Sequence, residues 1–487
     1  MSYSVENLEP KAVWKYFDRI RRIPHGSRNE AALVAAVLAW AAEAGCPAER
    51  DAVGNVVVRI PASRGCEGAP TVVLQGHLDM VCEKNGAKQF DFEKDAIELV
   101  RDGDWLRADG TTLGADNGVG VAIGLALMED KEAVHGPVEL LFTIDEETGL
   151  NGASGLGAGF VSGKLFMNLD SEEEGVFYVG CAGGRDTSVR LPVAREPLPG
   201  GWAAYRLDVR GLRGGHSGLD IVQNRGNALR LAARAIDGAA AEAPLRLIAL
   251  EGGDKHNAIP REAWAVVALP AAAGPAFEKR CAAALAAFRS EFAAAEPELA
   301  LTVAPEAKAP AACLTEASSR AAIGLILGLP HGVLAMSRDL PGLVETSSNV
   351  ARVRFEGDVM ALLTSSRSSN MSALDGVVRQ IASVAGLAGA KAEPNKGYPG
   401  WQPNMGSPLL AVAKRVYEAE FGSTPRFTAI HAGLECGIIG EKFPGMDMIS
   451  FGPTIQGPHS PDERVSIEAV ARVAQLTKAL LAKLAGR

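Results

Sequence analysis

Three apolar runs in the first 184 residues stop abruptly at an acid or a histidine. TVVLQGHLDM ends at His77 and Asp79, VELLFTIDEETG at Glu146 and Glu147, and KLFMNLD at Asp170. These runs are strand-like, and between them and NVVVRI lie helix-like stretches such as AALVAAVLAWAAEAG and VGVAIGLALMED. Such alternation builds α/β layers that carry functional residues at strand ends. From Trp202 the order changes to strand, helix, strand, strand, helix, strand, which is the βαββαβ order of a ferredoxin-like unit. A helix near Ser319 to Leu327, three strands between His331 and Ser366 and a helix near Met371 to Ala385 read as a diverged second copy, without a residue-level repeat. After NKGYPGWQPN the first texture returns. The expected organisation is an α/β sandwich domain (residues 1–184 and 397–487) interrupted by an inserted α+β domain of ferredoxin-like units (residues 185–396).

Composition narrows the function classes. The longest uninterrupted apolar run, Ala31 to Ala42, is too short to cross a bilayer, and the acidic start MSYSVENLEP lacks the basic and apolar regions of a signal peptide. The formal charge of -9 without a basic run argues against nucleic acid as the partner. The 7 cysteines are scattered with no C-x-x-C pair, which fits a reducing cytoplasm.

Five places carry chemistry, and each has an ordinary reading when taken alone. His77 and Asp79 lie two apart on a strand and share a face, so one can ligate a metal while the other orients it. Asp116 in GADNG opens a helix and suits an N-cap, yet a carboxylate held there stays ionised and has two oxygens with which to bridge two cations. Glu146 and Glu147 are adjacent, so their side chains diverge and can take different tasks, although DEETG alone reads as a solvated turn. Asp170 ends a strand, and His459 lies in the Gly/Pro-rich loop FGPTIQGPHSPDE. Their common position at strand ends and turns is the stronger signal.

Through GHLDMV, LGADNGVG, FTIDEETG, NLDSEEEG, GLRGGHSG, YPGWQPN, AIHAGLECG and GPTIQGPHSPDE, the chain resembles the co-catalytic zinc peptidases of the aminoacylase and carboxypeptidase group. Within that group it is most similar to the Xaa-His, or carnosine-cleaving, dipeptidases. The resemblance implies a catalytic α/β domain and an inserted lid. His77 and Asp170 would hold one metal, Glu147 and His459 the other, and Asp116, which would precede a cis Asp116–Asn117 peptide, would bridge them. Asp79 would orient the site and Glu146 would act as general base toward a metal-activated water. An independent charge argument agrees, because five carboxylates in one pocket repel one another and two divalent ions nearly balance them. Mixed histidine and carboxylate ligands suit zinc, and also admit manganese or cobalt.

For the developing oxyanion a second donor is needed, and His216 in GLRGGHSG is the candidate, reaching its own site or that of a partner subunit. Arg367 would clamp the substrate carboxylate, Asn257 and His431 would line the pocket, and Glu435 would meet the peptide amine or a histidine side chain. His25, His135, His256 and His331 read as structural. The expected enzyme is a homodimeric cytoplasmic metallo-dipeptidase that acts on small peptides and binds neither nucleic acid nor membrane. An aminoacylase, tripeptidase or carboxypeptidase with the same site, or a catalytically silent metal-binding scaffold, remains as an alternative.

Overall fold

The computed structural model describes residues 3–308 and 310–486. The chain forms two compact units, one of Met1–Cys181, Trp401–Ala429 and Leu434–Arg487, the other of Ala182–Gly400 and Ile430–Gly433. Among the described residues no helix is long and apolar enough to cross a membrane, and all seven cysteines are free thiols.

In the first unit an eight-stranded sheet runs in the order Ala48–Arg50, Val56–Ile60, Val138–Thr143, Val72–His77, Leu165–Asn168, Asp447–Ser450, Val176–Cys181 and Arg426–Ile430. Val138–Thr143, Val72–His77, Leu165–Asn168 and Asp447–Ser450 are mutually parallel. Every residue of Val72–His77 and Val138–Thr143 is buried, as continuous apolar strands covered on both faces must be. Helix Ala115–Ala126 packs on Val72–His77 and on helix Lys11–Ile20, burying Phe17, Ile20, Val119 and Ile123. The closing helix Ile467–Leu484 buries Val470, Val473, Leu476 and Leu480 at a spacing of three and four residues. Its first turn is capped by Ser466 Oγ, which accepts from the Ala469 N–H at 3.1 Å. Because the four parallel strands point the same way, their polar termini gather at one margin of the sheet.

The second unit is built on a nine-stranded sheet whose pairings among the described residues are all antiparallel. Trp202–Arg210, Ala228–Ala240, Arg246–Gly252, Ala263–Pro270, Gly274–Glu291 and Ala300–Pro305 follow one another as βαββαβ. In the sheet their strands lie fourth, first, third, second, the ferredoxin-like order. Gly183–Pro192, Glu316–Gly328, Val344–Glu356, Val359–Ser368, Met371–Leu387 and Lys391–Pro394 repeat the same order and the same strand arrangement. The first copy is therefore inserted between the first strand and first helix of the second. The two copies join where Gly252 faces Val353. The strand Gly332–Met336 is extra to both copies and pairs with the start of Val344–Glu356. One hydrophobic cluster runs through both, from Leu207 and Ile236 to Val350, Leu362 and Ile381.

Candidate metal and catalytic centre

His77 ends its strand buried among acids. Its Nδ1 lies 3.0 Å from the Asp79 carbonyl oxygen and 3.4 Å from Asp79 Oδ1. Its Nε2 lies 3.1 Å from Asp116 Oδ1 and 3.2 Å from Asp170 Oδ1. The other Asp116 oxygen, Oδ2, is 3.2 Å from His459 Nε2, which is also 3.1 Å from Glu147 Oε1. One aspartyl carboxylate thus lies between two imidazoles that are 382 residues apart in the chain (459 less 77). The Asp116–Asn117 peptide is cis, as the resemblance implied. Asn117 is buried behind the carboxylate and donates to the Leu169 carbonyl at 2.7 Å. Gly76 makes room for it, since a Cβ there would fall against Asn117 Oδ1.

Two groups of potential ligands share Asp116: His77, Asp116 and Asp170, and Asp116, Glu147 and His459, each with its donor atoms within 4.8 Å of one another. Asp170 Oδ1 and Glu147 Oε1 are buried, and among the described residues they face an imidazole nitrogen, His77 Nε2 and His459 Nε2, with no further polar partner. Such oxygens are costly unless a cation satisfies them, so this donor set fits divalent metal. The charges agree. Against the cost of burial, Asp170, Asp116 and Asp79 raise His77 well above the ordinary histidine value. Hydrogen bonds to Asp116 and Glu147 push His459 up to about 11. Burial, with Asp116 and Glu147 adding to it against the pull of His77, lifts Asp170 to about 7. The pocket is short of positive charge.

Asp79 occupies a different place. Its Oδ1 accepts from the Glu146 N–H at 2.9 Å, and its Oδ2 from the Glu147 N–H at 3.2 Å and from Ser27 Oγ at 2.8 Å. Although burial opposes ionisation, His77, the Glu146 amide and Ser27 hold Asp79 down to about 2. It therefore fixes His77 and the Glu146–Glu147 turn together. Glu146 is pushed well above the carboxylate range by burial, opposed by His77 and reinforced by Asp170, Glu435 and Glu147. A further acidic group, Glu30, Asp79 and Asp145, is occupied by internal bonds, with Glu30 Oε1 accepting from the Arg28 and Asp145 amides.

Glu435 is fully buried at the start of helix Glu435–Lys442. Its Oε2 accepts from Gln75 Nε2 and Thr143 Oγ1, both at 2.6 Å. It braces two strand ends from behind, which differs from the substrate contact expected of it.

Four other sequence-selected residues belong to the second unit. His216 Nδ1 accepts from the Leu219 N–H at 3.0 Å and the Gly218 N–H at 3.3 Å, so the neutral ring carries its proton on Nε2. Burial first, and then Arg367, lower it to about 4. Gly218 allows the loop to close on His431, because a Cβ at 218 would meet the His431 carbonyl and the His216 ring. His431 Nε2 lies 2.7 Å from Ser347 Oγ, and burial with Arg367 and His216 lowers it to about 3. Arg367 is buried, with Nη1 donating to the Tyr398 hydroxyl at 2.8 Å and Nε unpartnered. The Asn257 carbonyl accepts from the Ser217 N–H at 2.8 Å, and Asn257 and His216 both line a cleft of about 810 Å³.

The model of peptidase family M20/M25/M40 matches residues 73–483. The chain belongs to this peptidase family. It is 43% identical over 480 residues to the cytosol non-specific dipeptidase of Escherichia coli (strain K12), covering 99% of both chains. The aminoacylhistidine dipeptidase of Vibrio alginolyticus superposes with a TM-score of 0.93 at 42% identity, over 98% of each chain. Aminopeptidase PepT of Bacillus cereus shares the fold at a TM-score of 0.58 and 16% identity, over 98% of this chain and 99% of that one.

Sequence reasoning passed over several residues that shape the centre of this M20 peptidase. Gln75 and Thr143 sit inside apolar strands and read as incidental polar positions, while Ser27 and Glu463 sit in turns. Polar side chains within four residues before a strand-end ligand are the signal that would have drawn attention to Gln75 and Thr143.

Proposed function

We infer that this M20 peptidase is a dipeptidase that hydrolyses Xaa-His dipeptides, carnosine-like ones included. The observation that carries the reading is the Asp116 carboxylate, with one oxygen toward His77 and the other toward His459. The dipeptidase names of two full-length relatives support the substrate class. In this reading His77 and Asp170 hold one cation, Glu147 and His459 the other, and Asp116 both. Two divalent cations held there, zinc first with manganese or cobalt as substitutes, would supply Lewis acidity toward the peptide carbonyl and a water and would offset the repulsion among the carboxylates.

The chain's own residues do the rest. Asp79 engages the Nδ1 side of His77 and leaves Nε2 to face the cation. Through the Glu146 and Glu147 amides it also sets the turn that carries the base. Glu146 takes a proton from the attacking water and returns it to the leaving amine. His216, neutral and protonated on Nε2, donates to the carbonyl oxygen as negative charge builds there. Arg367, braced by Tyr398, grips the terminal carboxylate in a bidentate pair, and Asn257 and His431 line the pocket.

The enzyme is proposed to work as a homodimer in the cytosol. The cytosolic assignment draws on the name of the Escherichia coli relative. Metal analysis, sedimentation and a panel of dipeptides with their N-acetylated forms test the reading. Two ions per chain and preference for free-amine Xaa-His peptides are expected, whereas preference for the blocked amine would make the enzyme an aminoacylase.

A further inference from the structure

Glu463 follows His459 by four residues in GPHSPDER, where a charged turn suggests solvent, yet it is only 2% exposed. Both of its oxygens are taken up by the main chain that leads into helix Ala115–Ala126. Oε2 accepts from the Leu113 N–H at 2.6 Å and the Gly114 N–H at 3.1 Å. Oε1 accepts from the Ala115 N–H at 2.8 Å and the Asp116 N–H at 3.3 Å. A carboxylate engaged in four such bonds has no capacity left to ligate a cation.

Its main chain is equally committed. The Glu463 N–H donates to the Ser460 carbonyl at 3.0 Å. The next residue, Arg464, pairs with Gln456, and Val465 pairs with Leu106, closing the loop that presents His459. His459 sits at the tip of that loop with φ 59°, in the left-handed region where a non-glycine residue is held only by its surroundings. Glu463 thus fastens the Asp116 segment with its side chain and the His459 loop with its backbone.

We propose that Glu463 is a positioning residue that sets the approach of the His459 imidazole to the Asp116 carboxylate, and thereby the affinity of the Asp116, Glu147 and His459 cation site. The inference rests on the two-cation reading above. It differs from an ordinary helix cap in what it predicts. A cap contributes to helix stability alone, whereas a positioning carboxylate weakens the site that holds both Asp116 and His459 more than the His77, Asp116 and Asp170 site, which shares Asp116 but not the His459 loop.

The experiment compares full-length wild type with Glu463→Gln and Glu463→Asp. Zinc is titrated against a competing chelator, and kcat, KM and melting temperature are measured on the same preparations. Glutamine offers a single acceptor oxygen and turns an NH₂ toward main-chain donors, while aspartate keeps both oxygens on a shorter stem. In Glu463→Gln one zinc ion is expected to weaken roughly 10–100-fold and the other, which shares Asp116 but not His459, by clearly less. Its kcat should fall with KM within about twofold, added zinc should restore part of the rate, and Glu463→Asp should lie between. Two zinc affinities equal to wild type, whatever the melting temperature, overturn the proposal, as does equal weakening of both ions. If the glutamine variant does not fold, the aspartate variant is judged by the same readings. A wild type that holds a single ion overturns the two-cation reading itself and the proposal with it, while a two-ion wild type with an unaffected variant overturns the proposal alone.

Discussion

The two units treat histidine in opposite ways. In the catalytic unit His77 and His459 lie among carboxylates, which draw positive charge toward them and raise both rings above the ordinary value. In the lid unit burial and the Arg367 guanidinium lower His216 to about 4 and His431 to about 3. One environment collects cations. The other keeps imidazoles neutral, so that a ring can donate a hydrogen bond without carrying charge. The same side chain serves as metal ligand or as neutral donor according to the sign of what surrounds it.

The catalytic half of the comparison is tested most severely at Glu146. Glu146→Gln keeps the shape of the turn, and its N–H stays on Asp79, but it removes the proton acceptor. A loss of roughly 10²–10⁴-fold in kcat with both metal ions retained is expected, read by steady-state kinetics beside metal analysis. Full activity with both ions bound would remove Glu146 from the role of base. On the lid side, His216→Ala deletes a neutral donor and should lower kcat by roughly 10²–10³-fold, the range for one oxyanion donor, with zinc affinity unchanged. A change in zinc affinity instead would place His216 with the ligands and erase the contrast between the units.

Arg367→Lys is expected to be milder. A lysine keeps the charge but loses the planar fork and the bond to the Tyr398 hydroxyl. Weakening a charged hydrogen-bonded contact by about 1.5–3 kcal/mol raises KM roughly 10–100-fold for free dipeptides. C-terminal amides, which offer no carboxylate, should show little difference between the two proteins. An equal effect on both substrates would make Arg367 a purely structural residue.

What was legible beforehand follows from how local each signal is. The parallel strands are short apolar runs that end in acids or a histidine, so the placement of His77, Glu146, Glu147 and Asp170 at one sheet margin could be read from pattern, while Asp116 was legible as the acid that opens a helix. The first βαββαβ copy was readable for the same reason, since its six elements are consecutive. The second copy was only partly readable. Its opening strand, Gly183–Pro192, is separated from its first helix by the whole first copy, and no local pattern links two segments so far apart. Glu463 was passed over for a related reason. A charged residue in a short polar turn looks solvated, and only tertiary packing buries it on main-chain amides. Glu435 was expected at the substrate, and no local pattern links it to Gln75 and Thr143, which engage it in the fold.

The smallest expected effect concerns stability, and it separates the units by pH. His331 in the lid is half-buried, with Nδ1 accepting from the Val350 N–H at 3.4 Å. Burial, with Arg230 adding to it, lowers the ring from 6.5 to about 3. The folded lid therefore refuses a proton that the unfolded chain accepts below pH 6.5. The stability contributed by the neutral ring is complete above that pH and declines as pH falls toward 3, by at most about 1.4 kcal/mol per pH unit for one such group. His331→Asn removes this titration, so it should flatten the acid dependence of the lid even if it lowers stability at neutral pH. Hydrogen exchange of the strands Val344–Glu356 and Val359–Ser368 between pH 5 and 7 measures that slope separately from the catalytic sheet. Equal slopes in wild type and variant would show that other buried groups, His216 and His431 first among them, carry the acid sensitivity of the lid.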